Sequence, residues 1–285
     1  MSTDSAFAFP DWGGPLRDAT NAALDYLITH YGDAFEAVAN GLLGALVALE
    51  HVLRGASPWS IVAATAVLGF AASRRWAFAA ASSLGMWLIG ALGQWDEAMQ
   101  TLALVLVSVA LAIAIGLPLG VAVSRSNRLR RIVTPLLDLM QTIPSFVYLI
   151  PAAMLFGLGK VPAIFATVIY AVPPLVRLTD LGIRQVSVEA TEAARAFGAT
   201  RRQILLKVQL PLSLPSIMQG INQTTMMALG MVVVASMIGA RGVGETVLVG
   251  LQRNDAGMGL VGGLVIVLLA IVLDRLLQAT GRRWR

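Results

Sequence analysis

Long apolar segments alternate with short polar ones along most of the chain. A helix that crosses a lipid bilayer needs about 20 predominantly apolar residues. Segments that approach or exceed this length lie at 58–72, 77–92, 101–123, 135–156, 161–181, 212–238 and 258–277, and the first two are among the shortest. The pattern therefore predicts an all-α membrane protein with about seven transmembrane helices.

The first 57 residues follow a different pattern. Between residues 33 and 57, apolar positions such as Phe35 and Leu42 recur at helical spacing, with polar side chains such as Glu36 on the opposite face. A helix of this kind lies in the membrane interface rather than crossing the bilayer. Residues 1–32 carry four aspartates and one arginine, and we expect a polar tail there. Because the chain starts without a basic segment, we expect no signal peptide.

Composition agrees with a membrane protein. Hydrophobic residues make up 57% of the 285 residues and charged residues 13%, with a mean hydropathy of +0.75, whereas soluble domains are about 25% charged. The absence of cysteine excludes disulfides and thiol chemistry, and two histidines are too few for a histidine-rich metal site. The isoelectric point near 10.2 would suit a nucleic-acid-binding protein, but the positions of the arginines favour a topology signal instead.

Basic residues are concentrated in every second loop. They are Arg74 and Arg75; Arg125, Arg128, Arg130 and Arg131; Arg184, Arg195, Arg201, Arg202 and Lys207; and Arg282, Arg283 and Arg285 at the chain end. Cytoplasmic loops of membrane proteins are enriched in lysine and arginine. We therefore expect these loops and the tail at 281–285 to be cytoplasmic. With an odd number of spans, the N-terminal tail would then be periplasmic.

A charged segment, EAARAFGATRRQILLKVQLPLSLP at 192–215, interrupts the apolar pattern. Upstream of it, Ser187 predicts a helix start, and Gly198 predicts a helix stop with positive φ. Thr200 begins the capping-box pattern of a second helix. Small alanine side chains on one face, with Phe197 at its end, are suited to a docking element that receives a partner in the cytoplasm. An ordinary amphipathic loop helix on the membrane surface is the alternative interpretation.

The same segment resembles the EAA–G–I-LP signature of ABC importer membrane subunits. It comprises Glu192-Ala193-Ala194, Gly198 and Val208-Gln209-Leu210-Pro211, with valine in place of the usual isoleucine. Three further segments resemble the permeases of glycine betaine, proline betaine and choline importers: GLPLGVAVSRS at 116–126, MQTIPSFVYLIPA at 140–152, and the stretch 237–275. The resemblance covers residues 95–280.

This resemblance implies a fold, a location and a set of partners. The fold is a type I ABC importer core of five helices within residues 96–280, preceded by two accessory transmembrane helices at 58–95, in the bacterial inner membrane. Residues 187–199 would form the coupling helix that sits in a groove of the ATPase, with signature residues Glu192, Ala193, Ala194, Arg195, Phe197 and Gly198. The implied partners are a second permease copy, two ATPase subunits that bind ATP and Mg²⁺, an external substrate-binding protein and membrane lipid, but no nucleic acid.

Polar residues inside apolar spans are costly and often functional. Five of them are Gln141, Thr142, Asn222, Gln223 and Thr225. They are candidates to line a translocation pathway, and hydrogen bonding between helices is an equal alternative. Prolines in several spans favour a protein that encloses a pathway, because the carbonyls they free must be buried in protein or face water.

Three further predictions concern charged residues. Arg177 and Asp180 are expected to form an ion pair on one helix face. Asp274 and Arg275, near the chain end, are expected to snorkel or to lie in the cytoplasm. The segment 239–257 is expected to form a short amphipathic element on the outer face. Its candidates for docking the binding protein are Arg241, Glu245, Arg253 and Asp255.

The sequence predicts a transport subunit rather than an enzyme. A nucleotide-binding loop needs G-x-x-x-x-G-K followed by serine or threonine, and neither of the two lysines has this context. The leading interpretation is the permease of an importer that moves osmoprotectant-type quaternary amines by alternating access. The alternatives are an ABC permease for another small solute, such as an amino acid, and a stand-alone secondary transporter, which would show an ion relay and internal repeats.

Overall fold

The computed structural model of the protein describes residues 12–282. Regular secondary structure in this range is helical, without strands. The α-helices are α1 (Gly13–Gly55), α2 (Pro58–Ser73), α3 (Trp76–Ala91), α4 (Trp95–Arg125), α5 (Asn127–Thr142), α6 (Leu149–Phe156), α7 (Lys160–Arg184), α8 (Val188–Ala196), α9 (Arg201–Ile204), α10 (Leu210–Ser236), α11 (Val243–Gln252) and α12 (Ala256–Arg282). A 3₁₀ turn, Ser145–Tyr148, precedes α6, and a π-helical turn, Leu205–Gln209, joins α9 to α10.

Five helical segments in the described range are long and apolar enough to cross a membrane: α1, α4, α7, α9 continued into α10, and α12. A sixth span results if α5 and α6 count as one broken span. Helices α2 and α3 have 16 residues each, about 24 Å of helix, which is shorter than the ~30 Å hydrocarbon core. The expected number of seven transmembrane helices is therefore not confirmed.

The boundary predicted at residue 33, between a polar tail and an interfacial helix, is absent from the structure. Helix α1 begins at Gly13 and continues without a boundary at residue 33, while residues 1–11 lie outside the described range. After Pro15 the segment contains no proline and is rich in alanine and leucine, which are good helix formers. Its aspartates are tolerated because this part of the helix is exposed.

Part of α1 lies across the ends of other helices rather than alongside them. The Phe35 ring packs edge-to-face against Phe156 of α6, with centroids 5.5 Å apart, and Glu50 forms an ion pair of 2.6 Å with Lys160 at the start of α7. Phe35 and Glu50 are about 22 Å apart along the helix, whereas their partners are neighbours in the chain. These contacts fasten α1 to the segment around the start of α7, and the interfacial placement of residues 33–57 stays a prediction.

The span predicted over 135–156 is broken. Its first helix ends at Thr142, and α6 continues at an angle of 105° after the 3₁₀ turn. Pro144 causes the break, because it has no amide proton to donate to the carbonyl of Met140 four residues earlier. The hydroxyl of Tyr148 donates to that carbonyl instead, at 2.8 Å. The freed backbone group is therefore satisfied inside the protein, as a membrane environment requires.

Helix α7 is the centre of the fold. It packs against α4 and α10, and most of its apolar length is buried. A Cβ added to Gly120 of α4 would lie 2.6 Å from the Cβ of Thr179, and one added to Gly182 would lie 2.7 Å from the Cβ of Ser216 on α10. Small residues at such contacts let membrane helices approach closely, so these glycines determine the spacing of the core.

Candidate coupling site and solute pathway

Helix α8 starts and stops at the residues that the sequence indicates. The Ser187 hydroxyl accepts a hydrogen bond from the amide of Ala190 at 3.2 Å, as an N-cap does. At the other end Gly198 has a φ of +78°, and the amide of Ala199 donates to the carbonyl of Ala194 at 3.0 Å. This is a Schellman ending, which requires a residue that tolerates positive φ. The predicted helix start and stop are both confirmed.

The predicted capping box is also present. The Thr200 hydroxyl accepts from the amide of Gln203 at 3.3 Å, and the Gln203 side chain accepts from the amide of Thr200 at 2.8 Å. The chain then continues through the π-helical turn into α10, where Pro211 lies in the first turn. Because residues from Arg201 to Ser236 form one continuous helical segment, α8 connects through a sharp turn to a rod that enters the membrane core.

The surface of α8 is open to solvent. Phe197 is 92% exposed, although it is a large aromatic side chain. Four other residues of the predicted coupling set, Glu192, Ala193, Arg195 and Gly198, are exposed, and Ala194 is half-buried. Thr191 is buried and faces the rest of the chain. The structure therefore brings the predicted set together on one protruding element that the described chain does not cover.

An ion-paired cluster marks the point where the chain leaves α7 for α8. The buried carboxylate of Asp180 pairs with Arg184 at 2.6 Å and with Arg130 of α5 at 3.1 Å. Arg184 also donates to the side chain of Asn127 at 2.8 Å and to the carbonyl of Val123 at 3.0 Å. A buried charge needs partners of this kind to offset its desolvation. The cluster therefore joins α4, α5 and α7 at one end of the molecule.

The expected ion pair between Arg177 and Asp180 is wrong. Arg177 pairs instead with Asp138 of α5, at 2.6 Å. Residues three apart are neighbours on a helix surface, but Arg177 pairs with a side chain of α5, and Asp180 pairs with Arg184 one turn further along α7 and with Arg130 of α5. Sequence spacing carries no information about partners on other helices, and by charge pattern alone Arg130 and Arg184 indicate only basic loops.

Both less exposed candidates on α10, Asn222 and Thr225, make hydrogen bonds within the chain. The amide of Asn222 donates to Asp274 of α12 at 2.8 Å, and the Thr225 hydroxyl donates to the carbonyl of Ile221 in its own helix at 2.9 Å. The interhelical alternative is therefore supported for Asn222. Asp274 is half-buried and also accepts from Gln278. The contact between Asn222 and Asp274 could not be predicted from the sequence, because the two residues are 52 positions apart in the chain.

The remaining pathway candidates keep more surface free. Gln223 and Thr142 are exposed and Gln141 is half-buried, while the Thr142 hydroxyl donates to the carbonyl of Leu139 at 3.0 Å. In the part of the chain that the structure describes, no hydrogen bond joins the candidates on α5 to those on α10, so the five do not form one assembled site.

Within the same part, no group of three or more histidine, aspartate or glutamate side chains is placed to hold a metal ion.

Helix α11 confirms the predicted short element between the last two spans. Gly242 has a φ of +140°, and a Cβ there would lie 2.5 Å from the Thr101 hydroxyl, which accepts from the amide of Val243 at 2.9 Å. The Thr246 hydroxyl donates to the side chain of Gln94 at 2.7 Å. These contacts fasten α11 to the start of α4. The docking candidates Arg241, Glu245, Arg253 and Asp255 are all exposed.

The coupling and docking candidates lie at opposite ends of α7. The amide of Gly159, just before α7, donates at 2.8 Å to the carbonyl of Ile238, just before α11. Helix α8 follows the other end of α7, after Arg184. With 25 residues α7 is about 37 Å long, which is enough to cross a hydrocarbon core of ~30 Å. The two candidate sites are therefore separated by one membrane span.

Comparison with known proteins agrees with this geometry. Residues 112–285 match the family described as binding-protein-dependent transport system inner membrane component. The glycine betaine/proline betaine transport system permease protein ProW of Escherichia coli is 47% identical over 275 residues, covering 94% of this chain and 75% of ProW. The glycine betaine/carnitine transport permease protein GbuB of Listeria monocytogenes is 46% identical, covering 94% and 96% of the two chains. The glycine betaine transport system permease protein OpuAB of Bacillus subtilis is 44% identical, covering 93% of each chain.

Solved structures give the same result. An inward-facing conformation of the MetNI methionine ABC transporter matches with a TM-score of 0.56 at 28% identity, covering 70% of this chain and 94% of that chain. Another crystal form of MetNI matches with a TM-score of 0.54 at 30% identity, covering 64% and 90%. The chain therefore belongs to the family of binding-protein-dependent transport system inner membrane components, the permease subunits of ABC transporters.

Proposed function

We propose that this permease imports small osmoprotectant-type quaternary amines, such as glycine betaine, proline betaine or choline, by alternating access. The observation that carries the proposal is the identity of 44% to 47%, over more than nine-tenths of the chain, to permeases named for glycine betaine. A quaternary ammonium group is recognised by several aromatic faces around the cation. We assign that recognition to an external binding protein and ATP hydrolysis to two cytoplasmic ATPase subunits, with two copies of this chain between them.

An amino acid is the second candidate substrate. It is favoured by the likeness to a methionine transporter, although the identity of 28% to 30% is lower than that to the betaine permeases. Uptake in proteoliposomes that contain the chain, its ATPase and its binding protein distinguishes the two. We expect ATP-dependent uptake of labelled glycine betaine that unlabelled choline or proline betaine reduces. Uptake of methionine but not of betaine would refute the substrate assignment, and betaine uptake without the ATPase would indicate a stand-alone transporter.

Helix α8 is the coupling helix in this proposal. The exposed ring of Phe197 is the kind of side chain that a partner pocket buries, since aromatic residues are enriched among interface hot spots. The small face at Ala193 and Ala194 allows the surface of a partner to approach closely, and Arg195 supplies charge at the rim. The ATPase would bind ATP and Mg²⁺ and pull on this helix as its two subunits close.

The mechanical path leads from α8 into α10. Gly198 ends α8 in a single sharp turn, and the following helix continues to Ser236 in the membrane core. Pro211 and Pro215 lie near the start of this rod and weaken its hydrogen-bond ladder. The cluster around Asp180 holds α4, α5 and α7 together at the same end. A displacement of α8 would therefore move α10 relative to a fixed group of helices and so change access to the pathway.

The other predicted sites have separate roles in the proposal. Gln141, Thr142 and Gln223 are the candidates to line the solute pathway, since their side chains retain accessible surface. Asn222 acts as a positioning residue that joins α10 to α12, and Thr225 is satisfied within α10. The exposed charges on and around α11 receive the binding protein in the periplasm, while α8 and the basic loops face the cytoplasm of a bacterial inner membrane.

A further inference from the structure

Two adjacent cavities lie between the α2–α3 hairpin and α12. The first, called here the basic cavity, has a volume of about 440 Å³ and is lined by Arg74, Arg75 and Arg275, among other residues. The second, called the α3–α12 groove, has a volume of about 350 Å³ and an apolar lining that includes Leu84, Leu88, Leu268 and Ile271. Phe78 and Arg275 line both cavities, so the basic cavity and the groove are adjacent.

The basic cavity carries positive charge that the described chain does not neutralise. Within residues 12–282, none of its three arginines takes part in an ion pair. The adjacent Asp274 keeps its negative charge, but its carboxylate accepts hydrogen bonds from Asn222 and Gln278 rather than from these arginines, so three positive charges face one negative charge. Guanidinium groups bind phosphate oxygens with paired hydrogen bonds. The cavity is therefore complementary to a phosphate group.

The cavity lies at the boundary between membrane and water. Arg74, with a φ of +56°, and Arg75 form the turn between two apolar helices, and the Ser73 hydroxyl accepts from the amide of Arg75 at 3.2 Å. Trp76 follows this turn, is 76% exposed, and packs on the ring of Phe70 with centroids 4.2 Å apart. Tryptophan is enriched at the level of lipid headgroups. The arginines therefore lie at the depth of the lipid phosphates.

The length of the groove matches the thickness of the hydrocarbon layer of one lipid leaflet. Its lining on α3 extends from Phe78 to Leu88, a helical distance of about 15 Å. This is half of the ~30 Å hydrocarbon core of a bilayer. At its floor the two helices are in close contact, because a Cβ added to Gly85 would lie 2.9 Å from the Cγ2 atom of Val272. The groove therefore offers an apolar channel for an acyl chain directly below a phosphate-binding cavity.

We propose that this composite site binds an anionic phospholipid of the surrounding membrane. The phosphate lies among the three arginines of the basic cavity, and one acyl chain lies in the α3–α12 groove. An anionic headgroup is favoured over a zwitterionic one because each basic residue near the membrane surface adds to the attraction of anionic lipid. The lipid joins the α2–α3 hairpin to α12. Both elements lie at the periphery of the bundle, away from the main contacts of α7 with α4 and α10. The site is independent of the solute that the permease carries.

The test measures lipid retained by the full-length chain, purified in detergent from a host membrane that contains phosphatidylglycerol. Native mass spectrometry identifies the retained lipid, and thermal unfolding is followed after addition of phosphatidylglycerol, phosphatidylcholine or inorganic phosphate. The variants are a triple Arg-to-Gln and a triple Arg-to-Lys replacement at positions 74, 75 and 275, and Leu84→Trp, which fills the groove. A control triple Arg-to-Gln replacement at exposed positions 128, 131 and 202 removes the same charge elsewhere.

We expect the wild type, the control and the lysine variant to retain phosphatidylglycerol and to be stabilised by it. Removal of three basic residues at the site should weaken binding by roughly 100-fold, and Leu84→Trp should also reduce retention. The proposal is refuted if the control loses as much lipid as the glutamine variant, or if phosphatidylcholine stabilises equally well. Stabilisation by inorganic phosphate, with no effect of Leu84→Trp, would indicate a site for a free anion. If the wild type retains no lipid and the glutamine variant changes from dimer to monomer, the proposal is refuted. The arginines would then form a contact between permease copies.

Discussion

Phe197 and Gly198 show how much single residues contribute to the candidate coupling site. The ring of Phe197 projects from the last turn of α8 with almost all of its surface in solvent, and Gly198 turns the chain away immediately after it. Burial of an aromatic side chain contributes a large part of the binding free energy at many interfaces. A ring in this position therefore contributes to the binding of the partner that covers it, and it contributes little to the stability of the chain itself.

Replacing Phe197 by alanine should weaken the binding of the ATPase to the permease by roughly 30-fold, which corresponds to an interface hot spot of about 2 kcal/mol. The fold should be unaffected, because the ring has no buried contacts to lose. Affinity between the purified subunits checks this outcome, with glycine betaine uptake as a second measurement. Leu158→Ala is the matched control, since Leu158 is 80% exposed at the opposite end of α7. Equal ATPase affinity for the Phe197 variant and the wild type would contradict the assignment of α8.

Replacing Gly198 by valine should cost about 1–3 kcal/mol, because a β-branched residue is strained at positive φ. The cost should appear as a misdirected α8, so that the permease inserts in the membrane but loses ATP-dependent uptake. Gly198→Asn is the control, since asparagine tolerates the left-handed conformation and should retain most of the transport. Wild-type transport by the valine variant would show that the geometry of this turn is not needed for coupling.

At the scale of elements, the long apolar segments were predicted well and the irregular ones were not. The segment predicted at 161–181 is α7, and the one predicted at 258–277 lies within α12. The break between α5 and α6 and the length of α1 were missed. A hydropathy window records apolar residues and not backbone direction, so it cannot show that the Tyr148 hydroxyl replaces the donor that Pro144 lacks. It also reads an exposed polar helix as a loop.

Helix α11 is the element that we expect to receive the binding protein. Arg253→Glu should lower the rate constant for association of the binding protein by roughly tenfold, because reversing a rim charge acts mainly on electrostatic steering. The effect should decrease as salt is added, since screening weakens it. Stopped-flow binding to the reconstituted permease measures the rate constant, and Arg253→Lys, which keeps the charge, is the control. An unchanged rate constant at low salt would remove Arg253 from the docking surface.

At the scale of the whole molecule, the two candidate sites occupy opposite ends of α7, so they should face opposite sides of the membrane. Single cysteines can report this directly, because the chain has none of its own. A thiol at Gln252, on α11, should react with an impermeant reagent in intact cells. A thiol at Arg128, on α5, should react only after the membrane is made permeable. Both positions are exposed, so the reverse pattern of labelling would refute the orientation.

The sequence by itself determined the class of protein, the signature of the coupling segment and the start and stop of α8. These features are local: hydrophobic length, caps and a glycine at positive φ depend on residues within one or two helical turns. Only the tertiary structure decided which charges pair and which polar residues remain free. The carboxylate of Asp180 pairs with Arg184 of its own helix and with Arg130 of α5 rather than with Arg177. The side chain of Asn222 donates to Asp274, which lies on α12, 52 positions away in the chain. The physical reason is that the energy of a buried polar group is determined by its neighbours in space, and in this bundle several of those neighbours come from other helices.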